Sequence, residues 1–318
     1  MHKALVIGCG NIGALYDFES DNIETHAKAY FHNPNFNLAI YDTDRSVVER
    51  ISKKYNCSVE HSIKKHTLSG YDVVSICTPT KTHYGILKSA IEAQVKVIIC
   101  EKPISTSKSD LLKLEKLYTA CKSKILVNYI RRFQAPYHEL KYVNNKINTA
   151  EELTSIDIRY QRGFYNNCSH AFDTVEYVVN DTIELQNVKI HNPVYDHFSD
   201  DPTLSLQGTS KGASISVTGL PNIGFSIFEI DLYYKFKLIR IYDSGKKIDV
   251  YATKNPTRDG KMQSQQLVFS QQNCLNNYME NVIEEAQKLL FDRESNDNFL
   301  SSLALNQRMI DYKGYADA

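Results

Sequence analysis

Short apolar runs alternate with helical segments over the first 130 residues of the chain. Residues 3–8, 36–41, 71–77, 95–100 and 124–129 form five runs of strand-forming residues. Between the runs, residues 45–55, 82–93 and 111–120 have helical spacing of apolar positions. Strands that alternate with helices of about 10–15 residues are typical of βαβ units. This half therefore predicts a doubly wound parallel sheet with helices on both faces.

The second half of the chain shows one-by-one alternation of apolar and polar residues. Turn residues such as Pro221-Asn222 and Ser244-Gly245 separate the runs, which is typical of an antiparallel or mixed sheet with one buried face. The runs lie at residues 153–160, 204–207, 213–218, 224–233, 236–242 and 247–251. Helical spacing returns at residues 275–290 and 299–312. This half predicts an α+β domain.

The length of the chain fits two domains better than one. Single hydrophobic cores stop growing at about 250–300 residues, and this chain has 318. The βαβ pattern stops near residue 125. We therefore predict an α/β domain over residues 1–125, and an α+β domain with an open, mostly antiparallel sheet over residues 126–318.

Charge and cysteine usage narrow the class of protein. The chain has 37 Lys plus Arg and 37 Asp plus Glu, which argues against a general nucleic-acid binder. Its seven cysteines are scattered and odd in number, so free thiols in a reducing compartment fit better than disulfides or a metal site. The apolar run at the N-terminus is too short for a signal-peptide core or a membrane span. We expect a cytoplasmic protein without nucleic-acid, membrane or metal partners.

A glycine motif follows the first predicted strand. Gly8-Cys9-Gly10-Asn11-Ile12-Gly13 matches GxGxxG, in which glycines allow a tight turn and a close approach of the backbone to a pyrophosphate. The motif alone is weak evidence, but its place after the first strand of a βαβ chain is the context of a Rossmann nucleotide-binding domain. A glycine-rich turn without a ligand is the alternative.

An acidic residue at the end of the second strand completes this pattern, because it accepts the ribose 2′-hydroxyl. Asp42 stands there, 29 positions after Gly13 instead of about 20. The excess is assigned to residues 16–24, a polar stretch that interrupts the first helix before His26. Asp42 favours NAD, whereas nearby Arg45 keeps NADP open, and an ordinary turn aspartate remains the alternative.

Further motifs resemble the Gfo/Idh/MocA oxidoreductases, the family of glucose–fructose oxidoreductase and inositol dehydrogenase. They are GCGNIG at 8–13, TPTKTH at 78–83, VKVIICEKP at 95–103, VNYIRRF at 127–133 and NCSHAFD at 167–173. The resemblance implies a Rossmann domain followed by an open-faced mixed sheet, in a homodimer or homotetramer assembled through that sheet. The nicotinamide would lie in the crevice between the domains.

The same resemblance implies a set of cofactor-binding residues. The glycine motif would hold the pyrophosphate, Asp42 the adenosine ribose, and Glu101 would lie near the nicotinamide ribose. The full set is Gly8, Gly10, Asn11, Ile12, Gly13, Asp42, Thr78, Pro79, His83 and Glu101.

Lys102 is the acid/base catalyst that the resemblance implies. Oxidation of an alcohol by hydride transfer requires loss of the hydroxyl proton, and a lysine accepts it when burial and positive charge lower its pKa toward about 7–8. Oxidised nicotinamide supplies such a charge. A cis peptide bond is expected before Pro103, aiming Lys102 into the crevice. Without the motif, Lys102 would be interpreted as a surface lysine in a turn.

His170 matches the second catalytic position of the family, where it hydrogen-bonds the reacting oxygen or relays the proton; a structural histidine is the alternative.

Many members place an aspartate four residues earlier, but this chain has Asn166, and Arg162 and Cys168 replace the usual glycines. Because asparagine cannot exchange a proton, the usual Lys–Asp–His relay cannot operate here, but a dyad of Lys102 and His170 remains feasible. Candidate substrate contacts are Asn166, Tyr165, Arg131 and Arg132, and the two arginines also fit surface ion pairs.

These observations predict an NAD(P)-dependent enzyme that transfers a hydride between nicotinamide and a CH–OH carbon. A carbohydrate substrate, such as a nucleotide-linked or amino sugar, is the leading hypothesis, and a small cyclic polyol or other carbonyl compound is a second. A third is a non-catalytic NAD(P)-binding regulator of the same fold. Lys102 and His170 favour the enzyme, whereas Asn166 favours the regulator.

Overall fold

The computed structural model describes residues 1–146, 152–253, 264–292 and 296–314. The chain divides into two compact units, the first formed by Met1–Phe133 with Asn276–Gln307, and the second by Gln134–Leu275 with Arg308–Ala318. The boundary between the two compact units first falls after residue 133, whereas the sequence pattern suggested a boundary near residue 125. A C-terminal segment also belongs to the first unit, because its helix packs against the first helix of the chain.

A six-stranded parallel sheet forms the centre of the first unit. Its strands are β1 (His2–Ile7), β2 (Phe36–Tyr41), β3 (Ser58–Val59), β4 (Val73–Ile76), β5 (Val97–Cys100) and β6 (Lys124–Val127). The strand order is β3-β2-β1-β4-β5-β6, so the chain adds strands on one side of β1 as far as β3 and then, from β4, on the other side. This is the doubly wound topology, with its switch point between β1 and β4. All four residues of β4 and of β5 are buried, because helices cover both faces of the sheet.

Nine helices lie in the described ranges of the chain. They are α1 (His26–His32), α2 (Arg45–Tyr55), α3 (Lys65–Leu68), α4 (Thr80–Glu92), α5 (Lys108–Thr119), α6 (Ala135–Lys146), α7 (Ser169–Val179), α8 (Tyr278–Phe291) and α9 (Phe299–Gly314). Short helical turns form at Asn11–Leu15, Ile130–Phe133 and Phe164–Cys168. None of the helices in these ranges has the length and apolar character needed to cross a bilayer.

The predicted interruption of the first helix is confirmed. One helical turn, Asn11–Leu15, begins within the glycine motif, and α1 begins at His26. Buried Asp17 fixes the stretch between them, since its carboxylate accepts hydrogen bonds from the amides of Glu24 and Thr25 at 2.6 and 2.8 Å. The Thr25 hydroxyl also donates to Asp17 at 2.9 Å and caps α1.

The second unit contains a mixed eight-stranded sheet. Its strands are β7 (Leu153–Tyr160), β8 (Gln186–Val194), β9 (Thr203–Ser210), β10 (Ala213–Gly219), β11 (Phe228–Tyr234), β12 (Lys237–Tyr242), β13 (Lys247–Ala252) and β14 (Gln266–Gln271). The order is β14-β13-β12-β11-β7-β10-β9-β8, in which β7 and β10 pair parallel and the other neighbours pair antiparallel. The predicted fold class is therefore confirmed.

The two faces of this second sheet differ in chemistry. Ile158 pairs with Ile230 on the buried face, where α7 packs against β11. Their neighbours Asp157 and Asp231 face the other way, and Arg240 of the next strand donates to Asp231 at 2.9 Å. One-by-one alternation along the strands thus produces one apolar face and one polar face.

Candidate active site

Each glycine of the GxGxxG motif meets a different backbone requirement. Gly8 has φ +94°, and a Cβ there would lie 2.8 Å from the carbonyl carbon of Cys77 at the end of β4. A Cβ on Gly13 would overlap the carbonyl oxygen of Gly8. Gly10 is exposed, and a Cβ on it would meet no atom within 4 Å. Gly8 and Gly13 therefore allow the turn to close, whereas Gly10 leaves open space in front of it.

The residues of this turn fit a dinucleotide pyrophosphate. Asn11, Ile12 and Gly13, the last three residues of the motif, begin the helical turn Asn11–Leu15. The first amides of a helix have no partner within the helix. The partial positive charge of these amides favours an anion, and the open side of Gly10 lets it approach the backbone. The same turn stands at the carboxyl end of β1, beside the switch point.

Asp42, the residue after β2, is hydrogen-bonded to the backbone of the glycine motif. One oxygen of its carboxylate accepts a hydrogen bond from the Cys9 amide at 2.6 Å, and the other accepts one from the Asp44 amide at 2.9 Å. Burial and the charge of Asp42 raise the pKa of the Cys9 thiol to about 12. Arg45 begins α2 and is exposed. The position of the Asp42 carboxylate is thus fixed by hydrogen bonds to two backbone amides, one of them in the glycine motif.

His83 joins the loops that follow β4 and β5. Its Nε2 lies 2.7 Å from the carbonyl oxygen of Thr78, and its Nδ1 lies 2.9 Å from that of Pro103. Burial lowers the pKa of His83 despite these carbonyl partners, so the neutral ring donates to one of them at a time. The ring is 1% exposed, and it therefore braces both loops. Pro79 precedes α4 and is exposed.

Lys102 lies in the turn after β5. It is partly buried, and the peptide bond between Lys102 and Pro103 is cis, as the sequence resemblance implied. Glu101 precedes it and is 7% exposed. Strands β1, β4 and β5 run parallel, so the glycine motif, Thr78 and Lys102 follow the carboxyl ends of strands at the same edge of one sheet.

Two buried residues that the sequence did not single out bind Glu101. The Asn128 amide donates to Glu101 Oε1 at 2.6 Å, and His26 Nε2 lies 3.0 Å from the same oxygen. Burial alone would raise the pKa of Glu101, but the His26 hydrogen bond, the charges of His26 and Lys102, and the Asn128 hydrogen bond together lower it. Glu101 is therefore an ionised carboxylate held in place beside Lys102. Asn128 stood in the segment VNYIRRF and His26 only marked the end of the polar stretch 16–24, so the sequence did not show that the two converge.

The lowered pKa of Glu101 predicts an acid-dependent loss of stability. A carboxyl group whose pKa is lower in the folded state stabilises the protein above its ordinary pKa of 4.5, and that contribution is lost as pH falls through the folded value. We expect Glu101→Gln to lower the melting temperature at pH 7 and to weaken its dependence on pH below about 4.5. Thermal unfolding of both proteins between pH 3 and pH 7 is the measurement. Parallel pH curves for the two would contradict the assignment.

The second unit carries His170 in the first turn of α7. His170 is 8% exposed, and Asp173 on the same helix is 1% exposed. Tyr165 lies in the turn before the helix, where its ring faces Phe164 and the Lys313 ammonium lies 5.0 Å from its centroid. Asn166 donates from its side chain to the Arg162 carbonyl at 3.0 Å. Residues 162–170 are therefore one compact segment.

The two candidate arginines lie in the first unit, in the turn Ile130–Phe133 after β6. Arg131 is 6% exposed and Arg132 is partly buried. An exposed surface ion pair therefore does not describe Arg131. Both arginines belong to the first unit, whereas His170 belongs to the second.

Comparisons with known proteins agree with this fold. The family model "Oxidoreductase family, NAD-binding Rossmann fold" matches residues 2–129. Inositol 2-dehydrogenase of Rhizobium meliloti is 32% identical over 129 residues, which cover 40% of this chain and 36% of that protein. Inositol 2-dehydrogenase 4 of Saccharopolyspora erythraea is 29% identical over 203 residues, which cover 59% of this chain and 60% of that protein. These alignments thus span less than two thirds of either curated relative.

A solved structure extends the likeness of fold to both units. UDP-N-acetylglucosamine 3-dehydrogenase of Acidithiobacillus ferrooxidans superposes with a TM-score of 0.78 at 14% identity, covering 98% of this chain and 96% of that one. The family model covers the glycine motif, Asp42 and the turn that carries Lys102. Over residues 2–129, the chain therefore matches the NAD-binding Rossmann domain of the Gfo/Idh/MocA oxidoreductases.

Proposed function

We propose that this protein is an NAD(P)-dependent oxidoreductase that interconverts a CH–OH group and a carbonyl on a carbohydrate or cyclic polyol. One observation carries the proposal. A glycine turn shaped for a pyrophosphate and Lys102, which follows an ionised glutamate, stand at the same edge of one parallel sheet. Nucleotide binding alone would not need a lysine fixed at that edge.

Bound NAD(P) would supply the hydride chemistry, and side chains of this chain handle the proton. During oxidation, Lys102 in its neutral form accepts the hydroxyl proton, and the C–H electron pair leaves with the hydride. The proton returns from Lys102 to the oxygen in the reverse direction. Glu101 accepts hydrogen bonds from His26 and Asn128, so its part is to fix the turn that carries Lys102.

His170 assists at the reacting oxygen in the proposed reaction. Its place in the first turn of α7 gives it a defined backbone position, and its burial limits the rotamers that it can adopt. We propose Tyr165, Asn166, Arg131 and Arg132 as substrate contacts. Buried Arg131 would suit a phosphate or carboxylate group of the substrate.

Two classes of substrate have support from different relatives. The curated relatives reported above are named inositol dehydrogenases, which favours a cyclic polyol. The solved structure is named for a nucleotide-linked amino sugar, which favours a sugar nucleotide. Steady-state turnover with NAD and NADP on myo-inositol, free sugars and UDP- or TDP-linked sugars separates the two. Cofactor binding with no turnover on any of them would support a non-catalytic regulator instead.

The cofactor preference tests the role of Asp42. Its carboxylate would accept the ribose 2′-hydroxyl of NAD and repel the 2′-phosphate of NADP. We expect tighter binding of NADH than of NADPH, and Asp42→Asn should shift the ratio of the two dissociation constants toward NADPH by about tenfold. Fluorescence titration of the bound nicotinamide measures both constants. Asp44→Asn, which changes the neighbouring exposed carboxylate, is the matched control. A wild-type preference for NADPH would contradict this role.

A homodimer or homotetramer assembled through the second sheet also stays a prediction. Its support is the polar face of that sheet, on which Arg240 pairs with Asp231. On the same face, burial and the charge of Asp231 raise the pKa of Asp157. A small-molecule substrate remains the expected partner of the site itself.

A further inference from the structure

Residues 201–203 run along the start of the helical segment that carries His170. The helical turn Phe164–Cys168 continues directly into α7. The first amides of this continuous helical segment have no carbonyl partner within it. The four consecutive amides of residues 163–166 donate hydrogen bonds to residues 201–203. The acceptors are Thr203 Oγ1 at 3.0 Å, the Pro202 carbonyl at 3.0 Å, and the two oxygens of Asp201 at 2.8 Å each.

The carboxylate of Asp201 makes the last two of these bonds. Its Oδ1 accepts from the Tyr165 amide and its Oδ2 from the Asn166 amide, so each oxygen has its own donor. Negative charge at the start of a helix is favourable, because the first amides carry partial positive charge. A capping aspartate usually belongs to the residue before the helix. Here it comes from a segment 35 residues further along the chain.

Gly163 is matched to this carboxylate. It has φ +88°, and a Cβ on it would overlap Asp201 Oδ2. Glycine is therefore needed both for the backbone angle and for the close approach of Asp201. Two residues distant in sequence are thus shaped for a single contact, at the point where the chain turns into the helix that carries His170.

The loop that holds Asp201 is itself tied down within the second unit. Lys313 donates to the Asp200 carbonyl at 2.8 Å, and its ammonium faces the Tyr165 ring at 5.0 Å. Asp196, earlier in the same loop, accepts a hydrogen bond from the Asn222 amide. Asp201 is therefore carried by a fixed loop and partly buried.

We propose that Asp201 is a positioning residue for the reaction. It fixes the turn at Tyr165 and Asn166, and through the continuous helical segment it fixes the position of His170. The catalytic part of this inference rests on the proposed function, in which His170 assists at the reacting oxygen. A misplacement of about 1 Å in such a group lowers turnover by about 10²-fold.

The test compares Asp201→Ala and Asp201→Asn with Asp181→Asn. Asp181 is a matched control, because it is an exposed aspartate of the same unit that pairs with Lys211. We expect kcat to fall about 100-fold in Asp201→Ala and about 10-fold in Asp201→Asn. The dissociation constant of NADH should stay within about twofold of wild type, since the residues proposed to bind the cofactor all belong to the first unit. Asp181→Asn should match wild type in both.

Two further measurements separate positioning from general loss of fold. Added formate should restore part of kcat in Asp201→Ala, because it replaces the missing carboxylate at the helix start, and should leave kcat of wild type and of Asp181→Asn unchanged. Hydrogen exchange of the peptide over residues 163–170 should accelerate in Asp201→Ala, while peptides of β11 and β12 stay protected. This exchange does not depend on turnover.

The outcomes distinguish this inference from the proposed function. Wild-type turnover with unchanged kcat in Asp201→Ala would overturn the positioning role. Unchanged exchange over residues 163–170 would overturn the structural basis for it. Absence of turnover in wild type would overturn the proposed function and with it the catalytic role of Asp201, whereas faster exchange in Asp201→Ala would still confirm its hold on the helix start.

Discussion

Lys102→Met is expected to abolish measurable turnover while leaving the cofactor bound. Methionine keeps much of the length and apolar stem of lysine but accepts no proton, so the hydroxyl proton of the substrate has no acceptor during oxidation. Loss of a general acid/base group typically lowers kcat by about 10²–10⁴-fold. The pyrophosphate turn is built by Gly8, Gly10 and Gly13, and Lys102 makes no part of it. We therefore expect the dissociation constant of NADH to change by less than about threefold.

The measurement is steady-state turnover on the best substrate of the panel, with NADH binding followed by fluorescence. Lys113→Met is the control, because Lys113 is an exposed lysine on α5 of the same unit. Its turnover should equal that of wild type. Unchanged kcat in Lys102→Met would remove Lys102 from the mechanism, and loss of NADH binding would show that the substitution disturbs the fold of the turn.

The fold was predictable wherever burial imposes a simple pattern. The strand predicted at residues 36–41 and the helix predicted at 45–55 match β2 and α2 residue for residue. Strand β2 lies between β1 and β3 in a parallel sheet, so most of its residues are apolar, and α2 must turn one apolar side toward the sheet. Such requirements act on neighbouring residues, so they can be seen in a short window of sequence.

Elements with little burial were not predictable in the same way. Strands β8 and β14 lie at the two edges of the second sheet and were absent from the sequence-based assignment. An edge strand has one neighbour and needs less apolar alternation, and β14 is largely exposed. Helix α6 was also missed, because its segment APYHELKYVNNK is mostly polar.

The site divides along a similar line. The glycine motif and Asp42 were predictable, since their chemistry fixes the spacing of residues close in sequence. The partners of Glu101 come from α1 and from the residue after β6, and Asp201 lies 35 residues beyond Asn166. Contacts of this kind depend on where the sheet brings separate segments, which no local pattern records.

Gly13→Ala should cost the protein its cofactor and part of its stability. The added Cβ would overlap the carbonyl oxygen of Gly8, which is backbone and cannot rotate away. The turn must therefore open, which shifts the amides that face the pyrophosphate. We expect the affinity for NADH to fall by at least about 100-fold, and the free energy of unfolding to fall by about 1–3 kcal/mol, as in other overpacked sites.

Gly10→Ala separates binding from folding in the same motif. A Cβ on Gly10 meets no atom within 4 Å, so the free energy of unfolding should stay within about 0.5 kcal/mol of wild type. The same Cβ would stand in the open space through which the pyrophosphate reaches the backbone, and we expect NADH affinity to fall about tenfold or more. Gly85→Ala, on exposed α4 surface with equal space around it, should bind NADH as wild type does. Urea unfolding and NADH titration of the three variants decide the matter. Wild-type affinity in Gly10→Ala would contradict pyrophosphate binding at this turn, whereas weaker binding with intact stability would support a ligand on the face that Gly10 leaves open.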